Sequence, residues 1–121
     1  MATILVIEDT PANRALATKL LQAAGHDVLS ADTAADGMAL ARQELPDLVL
    51  MDLGLPDMDG WQALSELRAD RGPVARLRIV AFTAHAMLGD EERALAAGFD
   101  EYLSKPIDFA TFADTIRGLL P

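Results

Sequence analysis

Short apolar runs alternate with amphipathic stretches five times along this chain of 121 residues. Runs dense in Val, Ile and Leu predict strands, and apolar residues recurring every three or four positions predict helices. The predicted strands are residues 3–8, 27–31, 47–52, 78–82 and 100–104. Strand 27–31 is the weakest of these patterns. Strand 47–52 is the most apolar, so we expect it at the centre of a sheet, buried on both faces.

Turn and capping residues delimit the helices between these strands. Thr10-Pro11 is typical of a helix start, and Gly25 and Gly98 are typical of helix ends. The predicted helices run from Pro11 to Gly25, over 33–44, from about Gly60 to a break at 71–76, over 86–97 and over 108–120. Their predicted inward faces carry Leu16, Leu20, Leu21 and Ala24; Trp61, Leu64 and Leu67; and Phe109, Phe112, Ile116 and Leu119.

The regular alternation of strand and helix predicts an α/β fold with a parallel sheet covered by helices on both faces. Five such units suit a flavodoxin-like (βα)5 arrangement, a doubly wound five-stranded parallel sheet in the order 2-1-3-4-5. We see no internal repeat, low-complexity segment or linker, so we expect one domain over residues 1–121.

Chemically active side chains follow the predicted strands at the points where they end. Glu8 and Asp9 follow the first strand, Asp52 ends the third, and Thr83 and Lys105 follow the last two. The carboxyl ends of parallel strands share one edge of the sheet, and ligands bind at that edge in open α/β folds. The predicted strand order therefore brings these five groups into one site.

Three carboxylates that converge cannot all stay ionised without a counter-charge, which a hard divalent cation supplies. Mg²⁺ prefers about six oxygen ligands, including one or two carboxylates and a phosphate oxygen. We expect Asp9 and Asp52 to be direct ligands and Glu8 to act directly or through water. The backbone carbonyl of Gly54 is the expected fourth protein ligand.

The same groups support phosphoryl transfer. A carboxylate beside Mg²⁺ is a nucleophile toward phosphorus, and the product is an aspartyl phosphate. Asp52 has the central position, so we expect it to be the phosphoacceptor. The Lys105 ammonium would balance the charge of the transferring group, and the Thr83 hydroxyl would donate to a phosphate oxygen.

The composition narrows the range of partners and compartments. Nineteen acidic residues against ten basic ones give a net charge of −9, which argues against nucleic-acid binding. No apolar run reaches the ~20 residues that span a bilayer, and no signal peptide is visible at the N-terminus. Without cysteine the chain has neither disulfides nor thiolate metal ligands. We therefore expect a cytoplasmic protein without membrane insertion.

Taken together, these motifs resemble the response regulator receiver domain of bacterial two-component signalling over essentially the whole chain. The motifs are Glu8-Asp9, Met51-Asp52-Leu53-Gly54-Leu55-Pro56 with Asp59-Gly60, Thr83-Ala84, and Lys105-Pro106. The resemblance implies Mg²⁺-dependent transfer from a phosphohistidine of a histidine kinase or histidine phosphotransfer protein to Asp52. It implies a phosphoacceptor signalling domain rather than an enzyme, and a cis peptide at Lys105–Pro106.

The resemblance also implies a switch. Thr83 and Tyr102 match the family's two moving positions, and a downstream protein would bind helix 86–97, strand 100–104 and helix 108–120. Three residues of the motifs and their neighbours bear on the chemistry at the site. Glu8 replaces the commoner Asp, and Gly54 and His85 occupy variable positions that influence how long the phosphate survives.

Other functions fit the sequence less well. A phosphatase of the haloacid-dehalogenase type needs Asp-x-Asp directly after the first strand, whereas the pair Asp57-x-Asp59 lies in a later loop. A flavin-binding module of the same topology needs a phosphate-binding loop rich in Ser, Thr and Gly after the first strand. This chain has Glu8-Asp9 at that place, and their negative charges would repel the phosphate.

Within the family two readings are open. The placement of Met1 and of the last helix favours a stand-alone regulator. The stretch Gly89–Arg93 resembles cell-cycle regulators of the DivK type, which are single-domain proteins like those of chemotaxis. The alternative is a receiver from a hybrid histidine kinase, whose receivers often carry a stretch similar to residues 83–87.

Overall fold

A computed structural model describes residues 2–84, 89–105, 107–108 and 110–121. Its strands are β1 (Thr3–Ile7), β2 (Asp27–Ala31), β3 (Leu48–Met51), β4 (Ile79–Thr83) and β5 (Glu101–Ser104). All neighbouring strands pair in parallel, in the order β2-β1-β3-β4-β5. The predicted flavodoxin-like topology is therefore confirmed.

Within the described ranges, five α-helices connect and follow these strands. They are α1 (Pro11–Ala23), α2 (Ala34–Glu44), α3 (Gly60–Arg68), α4 (Asp90–Ala97) and α5 (Phe112–Leu119). A short 3-10 helix, Pro73–Arg76, occupies the segment that was predicted only to break the third helix. It covers the sheet with Val74, which is buried.

The core has two layers, one on each face of the sheet. Strand β3 is buried throughout, and its side chains alternate between the layers, as its apolar composition predicted. Leu48 and Leu50 pack with α1 and α5, whereas Val49 and Met51 pack with α2, α3 and α4. This burial on both faces fixes the central position of β3, and with it the position of the residue that follows.

The inward face of α1 differs from the prediction at two residues. Leu21 is buried as predicted, but Ala17, which was not predicted, is also buried, and Ala24 is exposed. The helix ends at Ala23, and Gly25 turns the chain away with a φ of 94°. Ala24 thus lies beyond the last helical residue and does not reach the core.

The described parts of the last two helices begin at Asp90 and Phe112, against predicted starts at residues 86 and 108. Gly89 has a φ of 89° and precedes α4, so the described helix begins at Asp90; residues 86–88 lie outside the described part. The Asp108 side chain accepts a hydrogen bond from the Ala110 N–H at 2.9 Å, and the Asp108 carbonyl accepts the N–H groups of Thr111 and Phe112, so a turn held by Asp108 precedes the helix. Helix α5 therefore begins at Phe112, and the predicted core residue Phe109 lies outside the description.

Arg68, at the end of α3, joins four segments at the edge of the sheet opposite the strand carboxyl ends. Its guanidinium donates to the carbonyls of Ala75 and Leu77 at 3.0 and 2.6 Å. It also donates to the Gly98 carbonyl at 2.9 and 3.1 Å and to Asp100 Oδ2 at 2.9 Å. One side chain thus fixes the end of α4, the start of β5 and the approach to β4.

Across the parts of the chain that the structure describes, no helix is both long enough and apolar enough to cross a membrane.

Candidate functional site

The strand register brings the three acidic residues together. Ile7 and Met51 are paired in adjacent strands, and the Asp52 N–H donates to the Ile7 carbonyl at 3.0 Å. The carboxylates that follow, on Glu8, Asp9 and Asp52, each offer an oxygen within 4.8 Å of the other two. Glu8 and Asp52 are buried and Asp9 is half-buried. This is the grouping that the strand order predicted.

Lys105 reaches the same cluster from the end of β5. Its backbone N–H donates to the Thr83 carbonyl at 2.8 Å, which places Lys105 beside the end of β4. Its ammonium forms an ion pair with Glu8 and lies 3.4 Å from Asp52 Oδ2. It also sits 5.2 Å from the centre of the Phe82 ring, within cation–π range. The contacts with Glu8 and Phe82 were not anticipated from the sequence.

The two buried carboxyls differ in their protonation. Burial, together with a hydrogen bond to Asp52, raises the pKa of Glu8 to about 7, and Lys105 and the Thr10 N–H offset this only in part. Burial also acts to raise the pKa of Asp52, but hydrogen bonds from Glu8 and the Gly54 N–H, with the charge of Lys105, hold that pKa below its usual value. Asp52 is therefore ionised at neutral pH, whereas Glu8, with a pKa of about 7, is divided there between its protonated form and the carboxylate that pairs with Lys105.

The donor set fits a hard divalent cation. Among the described residues it consists of carboxylate oxygens, the ligands such cations prefer, without sulfur or imidazole. In the same part of the chain, three acidic groups of the cluster face the ammonium of Lys105. This shortage of positive charge also contributes to the raised pKa of Glu8. A buried carboxylate favours its protonated form when the nearby positive charge is insufficient.

The loop after Asp52 is folded tightly against it. The Gly54 N–H donates to Asp52 Oδ1 at 3.0 Å, and the Gly60 N–H donates to the Leu53 carbonyl at 2.9 Å. A Cβ on Gly60 would lie 2.6 Å from the Asp52 carbonyl oxygen and 2.8 Å from Leu53 Cα. Only glycine permits this approach, so the Asp59-Gly60 pair closes the loop.

Two carboxylates of this loop bind helix ends rather than entering the acidic cluster. Asp59 Oδ1 accepts the Gln62 N–H at 2.8 Å and caps α3. The Asp57 oxygens accept the N–H groups of Ala34 and Ala35, at the start of α2. Both carboxylates of the Asp57-x-Asp59 pair therefore accept N–H groups of helices and are not part of the acidic cluster. This disfavours a phosphatase that would use the pair in its active site. The role of Asp57 gave no signal in the sequence, because its partners are distant in the chain.

Arg14 is another neighbour of the site that sequence reasoning missed. Its Nη1 donates to the Glu8 carbonyl at 2.8 Å, from the first turns of α1. The bond ties α1 to the end of β1.

The predicted switch residues lie on adjacent strands. Thr83 is buried at the end of β4 and is the register partner of Ser104. Tyr102 is half-buried on β5, and burial, followed by the negative charges of Asp90 and Glu91, raises its pKa. Tyr102 therefore lies close to the first turn of α4.

Two further predictions fall outside the described residues. These are the influence of His85 on phosphate lifetime and the cis peptide at Lys105–Pro106, since His85 and Pro106 are not described.

The comparisons with known proteins agree with one another. A family model described as response regulator receiver domain matches residues 4–117. Protein PilH of Pseudomonas aeruginosa is 38% identical over 120 residues, covering 99% of this chain and 98% of that protein. The polar-differentiation response regulator DivK of Brucella ovis is 35% identical over 118 residues, covering 98% and 95%.

A solved structure with the same fold is the CheY-like response regulator receiver domain protein of Methanospirillum hungatei. It superposes with a TM-score of 0.85 at 29% identity, covering 98% of this chain and 92% of that one.

Proposed function

This chain belongs to the response regulator receiver domain family, and on that premise we propose that Asp52 accepts a phosphoryl group from a phosphohistidine. The observation that carries the proposal is the position of Asp52 within the acidic cluster, with the Lys105 ammonium 3.4 Å from its Oδ2. The donor would be a histidine kinase or a histidine phosphotransfer protein.

The reaction uses groups that this chain already positions. A carboxylate oxygen of Asp52 attacks phosphorus, the new O–P bond forms, and the P–N bond to the donor imidazole breaks. The electron pair of that bond leaves on the imidazole nitrogen. Lys105 stays beside Asp52 and balances the added negative charge. The Thr83 hydroxyl is the proposed donor to a phosphoryl oxygen.

Mg²⁺ is the proposed cofactor of this site. Glu8, Asp9 and Asp52 would hold it, with the Gly54 backbone carbonyl as a further ligand. When bound, the cation supplies positive charge toward the oxygens of the transferring phosphoryl group. It would also favour the ionised form of Glu8, whose pKa is about 7 without a cation.

The proposal is tested with acetyl phosphate as a small-molecule donor. With Mg²⁺ we expect intact-protein mass spectrometry to show the gain of one phosphoryl group. With excess chelator we expect none, because the carboxylates then repel the incoming phosphate without a counter-charge. A chain that gains no mass with Mg²⁺, or the same mass without it, would contradict the proposal.

The bound phosphoryl group would act as a switch. Its charge and acceptor oxygens bias the equilibrium of a two-state element. The proposed element links Thr83 at the end of β4 to Tyr102 on β5 and so to α4. A downstream protein would bind the surface formed by α4, β5 and α5.

We expect Thr83→Ala to separate phosphorylation from switching. The variant should still gain the phosphoryl group, because the nucleophile and Lys105 are intact. It should lose the change in hydrogen–deuterium exchange over residues 90–104 that phosphorylation causes in the wild type, because the moving hydroxyl is gone. The control is Ser104→Ala, which removes an exposed hydroxyl from the register partner of Thr83. A full exchange response in Thr83→Ala would remove Thr83 from the switch.

We further propose that the receiver domain spans residues 1–121 and acts in the cytoplasm as a stand-alone regulator, by protein contact rather than as an enzyme. Its matches to PilH and DivK over nearly their whole length support this reading. The net charge of −9 disfavours direct contact with nucleic acid. The length of the gene and its neighbours would distinguish the alternative, a receiver of a hybrid histidine kinase.

A further inference from the structure

Asp57 attaches the loop after the acceptor residue to a helix far away in sequence. Its Oδ1 accepts the Ala34 N–H at 2.8 Å and its Oδ2 accepts the Ala35 N–H at 3.0 Å. Both oxygens are therefore bound to the first turn of α2. The N–H groups of Ala35 and Ala34 also hold the pKa of Asp57 below its usual value, so the carboxylate is ionised at neutral pH.

Side chains bind three N–H groups in the first turn of α2. Thr33 Oγ1 accepts the Asp36 N–H at 3.2 Å, and the Thr33 carbonyl accepts the first regular helical bond, from the Gly37 N–H at 3.0 Å. Asp57 accepts the other two, from Ala34 and Ala35. The helix thus has a local cap of the usual kind from Thr33, and the contact with Asp57 adds a connection between α2 and the loop.

That loop contains Gly54, whose backbone N–H and carbonyl both contribute to the proposed acceptor site. The Gly54 N–H donates to Asp52 Oδ1, and the Gly54 carbonyl is the proposed backbone ligand of the cation. The loop is also held at its ends, because Gly60 donates to the Leu53 carbonyl and Asp59 caps α3. Asp57 attaches the stretch between them to a different helix.

We propose that Asp57 is a positioning residue for the acceptor site: it holds the loop against α2 so that the amide and carbonyl of Gly54 stay aligned with Asp52. This inference rests on the proposed function. It assigns α2 a part in setting cation affinity, although α2 supplies none of the proposed ligands.

The test compares two caps of the same helix end. In Asp57→Ala we expect Mg²⁺ affinity, measured by calorimetry, to fall about tenfold, the lower end of the loss seen when a residue that orients a metal ligand is removed. We expect the Gly54 amide to exchange faster with solvent, because the loop is no longer held. Asp57→Asn retains one acceptor oxygen and should be intermediate in both measurements.

Thr33→Ala is the matched control. It removes the other side-chain cap of α2, so it should lower the free energy of unfolding measured in urea, as Asp57→Ala is also expected to do. Its Mg²⁺ affinity and its Gly54 exchange should match those of the wild type, since Thr33 does not contact the loop through that cap.

Two results would overturn the inference. One is an Asp57→Ala variant whose Mg²⁺ affinity and Gly54 amide exchange equal those of the wild type. That result would show that Asp57 only caps α2. The other is an equal loss of Mg²⁺ affinity in Thr33→Ala, which would assign the effect to the stability of α2. If the wild type accepts no phosphoryl group, the proposed function fails separately, and the Gly54 exchange rate still decides whether Asp57 holds the loop.

Discussion

The Asp52→Asn variant is expected to gain no phosphoryl group from acetyl phosphate and Mg²⁺ under conditions in which the wild type gains one. An amide is neutral and is not a nucleophile toward phosphorus, so the attacking atom is lost. The substitution nearly preserves the size of the side chain, and Lys105 keeps its ion pair with Glu8. We therefore expect a folded protein from which the proposed reaction is absent.

Intact-protein mass spectrometry, read before and after alkaline treatment, checks this result, because acyl phosphates are lost in base. The control is Asp114→Asn, which alters an exposed carboxylate on α5 that pairs with Arg117 at the surface. That variant should gain the same mass as the wild type. An equal gain in Asp52→Asn would show that another residue is the acceptor.

The largest expected loss of stability comes from Arg68→Ala. The guanidinium serves the carbonyls of Ala75, Leu77 and Gly98 and pairs with Asp100. The substitution leaves these partly buried acceptors without their donor. We expect the free energy of unfolding to fall by about 3 kcal/mol, a large part of the total for a domain of this size.

Urea unfolding followed by circular dichroism measures that loss. Arg42→Ala is the control, because Arg42 makes a more exposed ion pair with Asp70 and should cost less than about 1 kcal/mol. Arg68→Lys should fall between the two, since an ammonium cannot reach so many acceptors at once. Equal losses in Arg68→Ala and Arg42→Ala would show that the partly buried contacts of Arg68 add little.

Much of the fold was accessible from the pattern of residues. The all-apolar run at 48–51 predicted a strand buried on both faces, and it lies at the centre of the sheet. Capping residues located several helix ends, with Thr10-Pro11 at the start of α1 and Gly98 after α4. The predictions were poorer at the start of α5, where a turn held by Asp108 precedes the helix.

The gathering of Glu8, Asp9 and Asp52 also followed from the sequence, because parallel strands in a known order end at one edge. The residues that form ion pairs and hydrogen bonds with these groups could not be predicted from the sequence. The ion pair of Lys105 with Glu8 and the contact of Asp57 with α2 join residues 97 and about 22 positions apart. No local pattern marks such pairs.

The sequence by itself determined the order of the elements, the strands that form the core, and the identity of the chemical groups at the strand ends. Those features depend on residues close together in the chain, where periodicity and capping act. The tertiary structure alone decided which carboxyl stays ionised, where Lys105 points, and that α2 is tied to the loop beyond Asp52. These depend on burial and on distances of a few ångströms between remote segments, because electrostatic energies are set by the spatial environment and not by sequence separation.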